Sequence, residues 1–333
     1  MQKNKYAGIF LFIILIFSLA ACGSNQEEVD GESSNENEES TETTEATGQT
    51  EEQKESVQYL GEEYTVPAEV EDIAITGSME SMEDALVLGV EPAAGITTGG
   101  TFPEMFSDIT GSTVSSGEKQ QPDMEGLLEL EPDVILSSTK FPEEVQDNLN
   151  KITTTIPISH ISADWKENLQ LLASLTGKQD EADKILEDYE EGVAKVKDEI
   201  SDSLENQTVV TARIRGGDIM VYPEDIFFNS SLYSDLGLKV PEQIKNAETQ
   251  EVISLEKFSE MNPDYIFVQF AETENADQPE ALDDLEDNPI WNSMNAVQHD
   301  RVFVNVVDPV AQGGTAWSKM KFLEAAEEKL SNQ

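Results

Sequence analysis

One cysteine, two histidines and three arginines in 333 residues close off several chemistries at once. A lone cysteine leaves no disulfide within the chain. The histidines, His160 and His299, are far apart in sequence, and no histidine-rich segment exists to hold bare zinc or manganese. Basic residues number 20 against 68 acids, for a formal charge of −48. Phosphate neutralisation needs clustered Lys and Arg, so nucleic acid is excluded as a partner. There is no nucleophile elbow, no metal-hydrolase motif and no cysteine–histidine pair. A catalytic carboxylate pair would have material in so acidic a chain, but no spacing singles one out. An extracellular enzyme and a direct metal-ion binder therefore stand as the weaker readings. What remains is ample for folding: 38% of residues are hydrophobic, and the length suits two domains.

The N-terminus does not belong to the fold. Lys3 and Lys5 precede an apolar stretch from about Ala7 to Leu19, and small residues lead to Cys22. This is a secretory signal over residues 1–21, too short and wrongly flanked for a membrane span. "LAAC" resembles the bacterial lipoprotein box, which implies cleavage before Cys22 and a lipid on its thiol. Residues 22–56 follow as an acidic tether. From Gly23 to Ser56 the chain holds twelve acids and one lysine, too little apolar surface to fold.

Beyond the tether the chain writes one phrase twice. Met124–Leu136 reads "MEGLLELEPDVIL" and Leu255–Phe267 reads "LEKFSEMNPDYIF", with five of thirteen positions identical. Each is a short amphipathic helix, a proline turn and an apolar strand, one step of an α/β layer. Between the copies, residues 179–204 carry apolar positions at three- and four-residue steps without proline, which predicts one helix of about 39 Å. The fold class expected is α/β, with two Rossmann-like lobes: an N-terminal lobe over 57–178, the linking helix over 179–204, and a C-terminal lobe over 205–333.

Several segments resemble the substrate-binding lipoproteins of bacterial iron–siderophore ABC importers, of the class III periplasmic-binding-protein type. They are "SMESMEDALVLGV", "GEKQQPDMEGLLELEPDVILSS", "DWKENLQLLASLTGKQDEADKILEDY" and "NPIWNSMNAVQHDRVFVNV" with the Gly-Gly turn that follows. Their order covers about Pro67 to Leu330. The resemblance implies a monomer without a cofactor. It would be held at the extracellular face of the cell membrane by the lipid on Cys22, capturing a ferric siderophore and delivering it to permease subunits. It also implies that Glu83, on the first-lobe helix, pairs with arginine on the permease. The matching second-lobe segment "SSLYSDLG" lacks the usual glutamate, and Asp235 is the substitute available.

In α/β lobes ligands bind beyond the carboxyl ends of the strands. Arg213 and Arg215 fall there, two apart on one strand and hence on one face. Two of three arginines on one face suit an anion, or ion pairs to local acids. Lys119, Lys140, His160, Ser78 and Thr98, with the hydroxyl-rich turn to Thr101, follow first-lobe strands. Tyr222, Gln269, Phe270, Gln312 and Trp317 occupy comparable places in the second lobe. Phe227 and Phe228 suit either the core or a ligand platform, Trp165 and Trp291 packing, and His299 the surface. The expected ligand is an anionic citrate-hydroxamate chelate of iron. A neutral ferric hydroxamate, a catecholate or cobalamin is the alternative.

Overall fold

The structure, a computed structural model, describes residues 53–331. The signal segment, Cys22 and most of the acidic tether lie outside the described residues. The expected tether runs three residues too far. Strand β1 (Lys54–Tyr59) already pairs antiparallel with β2 (Glu62–Pro67), Lys54 opposite Pro67 and Ser56 opposite Thr65. The turn between them is Leu60–Gly61, with Gly61 at φ +85°.

The first lobe is a doubly wound sheet. Its strands are β3 (Ile73–Ile75), β4 (Ala94–Thr97), β5 (Val114–Glu118), β6 (Gln121–Pro122), β7 (Val134–Ser138) and β8 (Thr155–Ile158). They lie in the order β6-β5-β4-β3-β7-β8, parallel except for the β5–β6 pair. Its helices are α1 (Met79–Leu88), α2 (Met124–Leu130), α3 (Glu143–Leu149) and α4 (Trp165–Thr176). Alternation along β3 feeds both faces of the sheet. Ile73 and Ile75 join the main core with α1 and α4, while Ala74 joins a smaller core of Leu127, Ile135 and Leu149 beneath α2 and α3.

Helix α5 (Gln179–Leu204) joins the lobes. Its buried stripe is Ala182, Tyr189, Val196, Ile200 and Leu204, at seven- and four-residue steps. Gly192 admits the last helix closely: a Cβ there would stand 2.9 Å from Leu323.

The second lobe carries β9 (Val209–Arg215), β10 (Asp218–Val221), β11 (Glu251–Val252), β12 (Tyr265–Phe270) and β13 (Val302–Val304). Their order is β11-β10-β9-β12-β13, with β9, β12 and β13 parallel. Around them lie α6 (Glu242–Lys245), α7 (Leu255–Ser259), α8 (Ala281–Glu286), α9 (Asn295–Gln298) and α10 (Ala316–Leu330). The two copies of the repeated phrase are α2–β7 and α7–β12, equivalent steps of the two lobes. The segment "SSLYSD" is a turn of π-helix, Ser230–Asp235. Asp164 precedes α4 but does not cap it, because its carboxylate accepts from the Ser159 hydroxyl at 2.6 Å.

Candidate ligand-binding site

A cavity of about 430 Å³ opens where loops from both sheets converge. The first lobe contributes Glu80 from the first turn of α1, Lys119 from the β5–β6 turn, Lys140 after β7, and His160 after β8. The second contributes Arg213 and Arg215 from the end of β9, Tyr222 after β10, and Gln312 ahead of α10. These are mostly the carboxyl ends of parallel strands, where backbone turns free side chains to face a crevice.

Four cations share this space in a chain that has only 20. Arg213 is buried, 4% exposed, and its Nε donates to Glu274 at 2.7 Å. Arg215 donates from its guanidinium to the other oxygen of the same carboxylate. Burial alone would raise the Glu274 carboxyl, yet its bonds to Arg215 and the charges of both arginines hold it below the usual range. The two sequence readings of the arginine pair therefore coexist: both guanidinium groups line the cavity, and both are salt-bridged to one acid. Lys140 pairs with Glu80 at 3.2 Å. Lys119 instead meets a neutral partner, donating to the Gln312 side-chain oxygen at 2.9 Å across the lobes. Burial, then the positive field of Lys140 and both arginines, brings its ammonium down to about 8 despite Glu80. His160 accepts or donates at Nδ1 with Thr139 (2.8 Å), and burial lowers its pKa, with Lys140 adding to the effect.

Aromatic rings form one wall. Tyr222 and Phe227 stack with centroids 4.5 Å apart, and the Arg213 guanidinium lies 5.8 Å from the Phe227 ring centre. Phe227 adopts φ +59°, a left-handed conformation uncommon for a bulky residue. That turn seats its ring under Gly313, where a Cβ would come within 2.8 Å of it.

Other predicted residues lie elsewhere. Ser78 is fully buried as the N-cap of α1, accepting from the Ser81 amide at 3.1 Å. Thr98 is exposed and off the cavity, because Glu118 draws the Gly99 and Gly100 amides, and with them the turn, toward itself. Gln269 is buried and spends its amide on the Asp308 and Ala311 carbonyls. Phe270 packs partly buried at the end of β12, bonded through its backbone to Asn305. Trp317 packs against the core from α10. Trp165 and Trp291 are buried. Glu80, Ile161, Ser162, Ile226, Glu248 to Gln250 and Gly314 also line the cavity, though nothing in the sequence marks them.

Both expected docking acids have partners within the protein, Glu83 fully buried and Asp235 partly exposed. Glu83 has no exposed surface and accepts from the Gln312 amide at 2.7 Å, the Ser318 hydroxyl at 2.5 Å and the Thr315 hydroxyl. All three donors belong to the second lobe, so this carboxylate joins the lobes and does not lie on the exposed surface of α1. Asp235 binds Lys319 at 2.6 Å and the Tyr189 hydroxyl at 2.7 Å. Lys319 is itself buried and lies 5.6 Å from the Trp165 ring centre and 5.5 Å from that of Tyr189. Among the described residues there is no group of three or more His, Cys, Asp or Glu able to hold a metal ion.

The family model described as periplasmic binding protein matches residues 75–305. The chain is 51% identical over 328 residues to the iron-uptake system-binding protein of Bacillus subtilis, covering 98% of this chain and 99% of that one. It superposes with a TM-score of 0.80 on the crystal structure of FeuA from Bacillus subtilis, described as a triscatecholate siderophore binding protein complexed with ferri-bacillibactin. There the identity is 55%, over 84% of this chain and 99% of the other. The probable siderophore-binding lipoprotein YfiY of Bacillus subtilis is 25% identical, over 89% of each chain.

Proposed function

The chain belongs to the periplasmic binding protein family, and from that premise we propose that its cleft captures a ferric siderophore of the tris-catecholate type for an ABC importer. The reading further puts the protein at the outer face of the cell membrane, held through lipidated Cys22. The observation that carries it is the convergence of Lys119, Lys140, Arg213 and Arg215 on one cavity of about 430 Å³. That volume lies in the range of about 300–1,000 Å³ common for small-ligand sites.

Iron(III) held by three doubly deprotonated catechols is an octahedral trianion that presents three planar aromatic rings at its rim. Guanidinium and ammonium groups donate charge-assisted bonds to the catecholate oxygens, each contributing about 1.5–3 kcal/mol. The Tyr222–Phe227 wall gives the rings an apolar face. The citrate-hydroxamate type expected from sequence loses its support to the relative of known complex, which carries a catecholate. Two arginines suit either class of anion, so sequence alone did not separate them.

Titration of tryptophan fluorescence tests the assignment. Ferric tris-catecholate quenches at submicromolar concentration, a neutral ferric trihydroxamate binds more weakly, and zinc leaves the signal unchanged. Arg215→Gln weakens the tris-catecholate at least about tenfold, the loss of one good charge-assisted contact. Equal affinity for the charged and neutral chelates would reject the anionic reading.

A further inference from the structure

Glu274 is one of 68 acids, and nothing in its local sequence marks it. Its placement does. The short turn Glu272–Glu274 after β12 is bolted to the β9–β10 hairpin. The Gly216 amide donates to the Glu274 carbonyl at 3.0 Å, and the Gly217 amide donates to Asn275 Oδ1 at 3.1 Å. Asn275 Nδ2 in turn donates to the Ile214 and Ala271 carbonyls at 2.9 and 2.8 Å. Gln278 closes the clamp with a 3.1 Å bond to the Gly216 carbonyl. Asn275 is 1% exposed, so this is an interior fixture and not a swinging surface acid.

The fixture aims one carboxylate at two guanidinium groups, one oxygen to each. Glu274 is not among the residues that line the cavity, whereas both of its arginine partners are. Its charge still reaches the ligand space, since Coulomb interactions at about 8–10 Å persist in a partly desolvated cleft. We infer that Glu274 is the charge-setting residue of the cleft: it orients Arg213 and Arg215, offsets part of their charge, and so fixes how steeply affinity rises with the negative charge of the ligand. This rests on the reading of the cleft as an anionic-chelate site. A neutral acceptor could hold the guanidinium groups in place, so a merely structural role does not require an acid here. The acid matters because its removal changes the field felt by an anion in proportion to that anion's charge, and leaves a neutral ligand indifferent.

The test compares the full chain with Glu274→Gln, Glu274→Asp and Asn275→Ala, using ferric tris-catecholate and a neutral ferric trihydroxamate as probes. The readout is the ratio of the two affinities, with thermal melting to check folding. In Glu274→Gln the ratio rises about tenfold in favour of the trianion, while trihydroxamate affinity stays within about twofold. Asn275→Ala, which frees the turn, moves the ratio in the same direction by an independent route if the first variant does not fold. Glu274→Asp keeps the charge and the wild-type ratio to within about twofold. An unchanged ratio in both Glu274→Gln and Asn275→Ala, or a parallel fall for both probes, overturns the inference alone. Wild-type protein that binds neither chelate, or both equally, overturns the anionic-chelate reading and this inference with it.

Discussion

Lys119 differs from its neighbours in the cleft by having a neutral partner. Lys140 has Glu80 and the arginines have Glu274, whereas Lys119 is bonded to the Gln312 amide oxygen. Its ammonium, brought down to about 8 by burial and by the facing charges of Lys140, Arg213 and Arg215 against Glu80, is partly deprotonated in mildly alkaline solution. An anionic ligand favours the protonated form, so binding above pH 8 must be accompanied by proton uptake. Affinity for ferric tris-catecholate should hold up to about pH 8 and then fall by as much as about tenfold per pH unit. Isotherms between pH 7 and 9.5 check this, and Lys119→Arg should remove the bend because arginine stays charged. A bend that survives in Lys119→Arg belongs to another group. At this scale the sequence was readable only in part. Lys119, Lys140, His160, Arg213, Arg215 and Tyr222 could be placed on the rim because each ends or follows a strand. Position after a strand does not say where a side chain points, however. Ser78 follows β3 and caps a helix, and Gln269 ends β12 but turns to backbone carbonyls. Glu274 was invisible because its partners are supplied by a strand about sixty positions earlier in the chain.

The contact between α1 and the start of α10 works differently, through carboxylates kept from water. Glu83 and Asp84 are adjacent and fully buried, and both face the N-terminal turn of α10. That end of a helix favours negative charge, since its first amides lack partners. Desolvation outweighs this help. Burial pushes Glu83 up to about 7 against the bonds from Ser318, Thr315 and Gln312, and burial with the Glu83 charge raises Asp84 as well. Asp84 Oδ1 has no hydrogen-bond partner. Raised folded-state values mean that the folded protein holds more protons than the unfolded chain between the ordinary carboxylate range and about 7. Stability from Glu83 is then complete at acid pH and declines as pH rises through that window, by up to about 1.4 kcal/mol per unit, and the raised Asp84 acts in the same direction. Thermal melts of the wild type should drop from pH 5 to pH 8, and Glu83→Gln should flatten the slope. A wild-type melting temperature that climbs across this range contradicts the assignment. The helix itself was plain in "SMESMEDALVLG", down to the left-handed Gly89 that ends it. Its orientation was not. Met79 to Ala85 are buried without a break, so no polar face existed to read, and Glu83 passed for a surface acid until the second lobe was in view.

For the molecule as a whole, two fields of opposite sign act on an arriving ligand. The two-lobed arrangement was legible from the repeated helix–proline–strand phrase, because each copy needs a sheet of its own to bury its strand. What the phrase could not convey is that the lobes concentrate four cations at their junction while the chain as a whole carries −48. At about 0.01 M salt the screening length is about 30 Å, and a trianion approaching the cleft is repelled by much of the acidic surface. At about 0.15 M it shrinks to about 8 Å, and the nearby lysines and arginines dominate the last steps of approach. The association rate for ferric tris-catecholate should therefore rise with added salt over this range, the reverse of ordinary electrostatic steering, which salt weakens. A neutral ferric trihydroxamate should show a flat rate. Stopped-flow quenching at a series of ionic strengths distinguishes the outcomes. A rate that falls with salt would mean that the cleft's own field extends past the acidic rim, and that long-range attraction, not short-range contact, brings the chelate in.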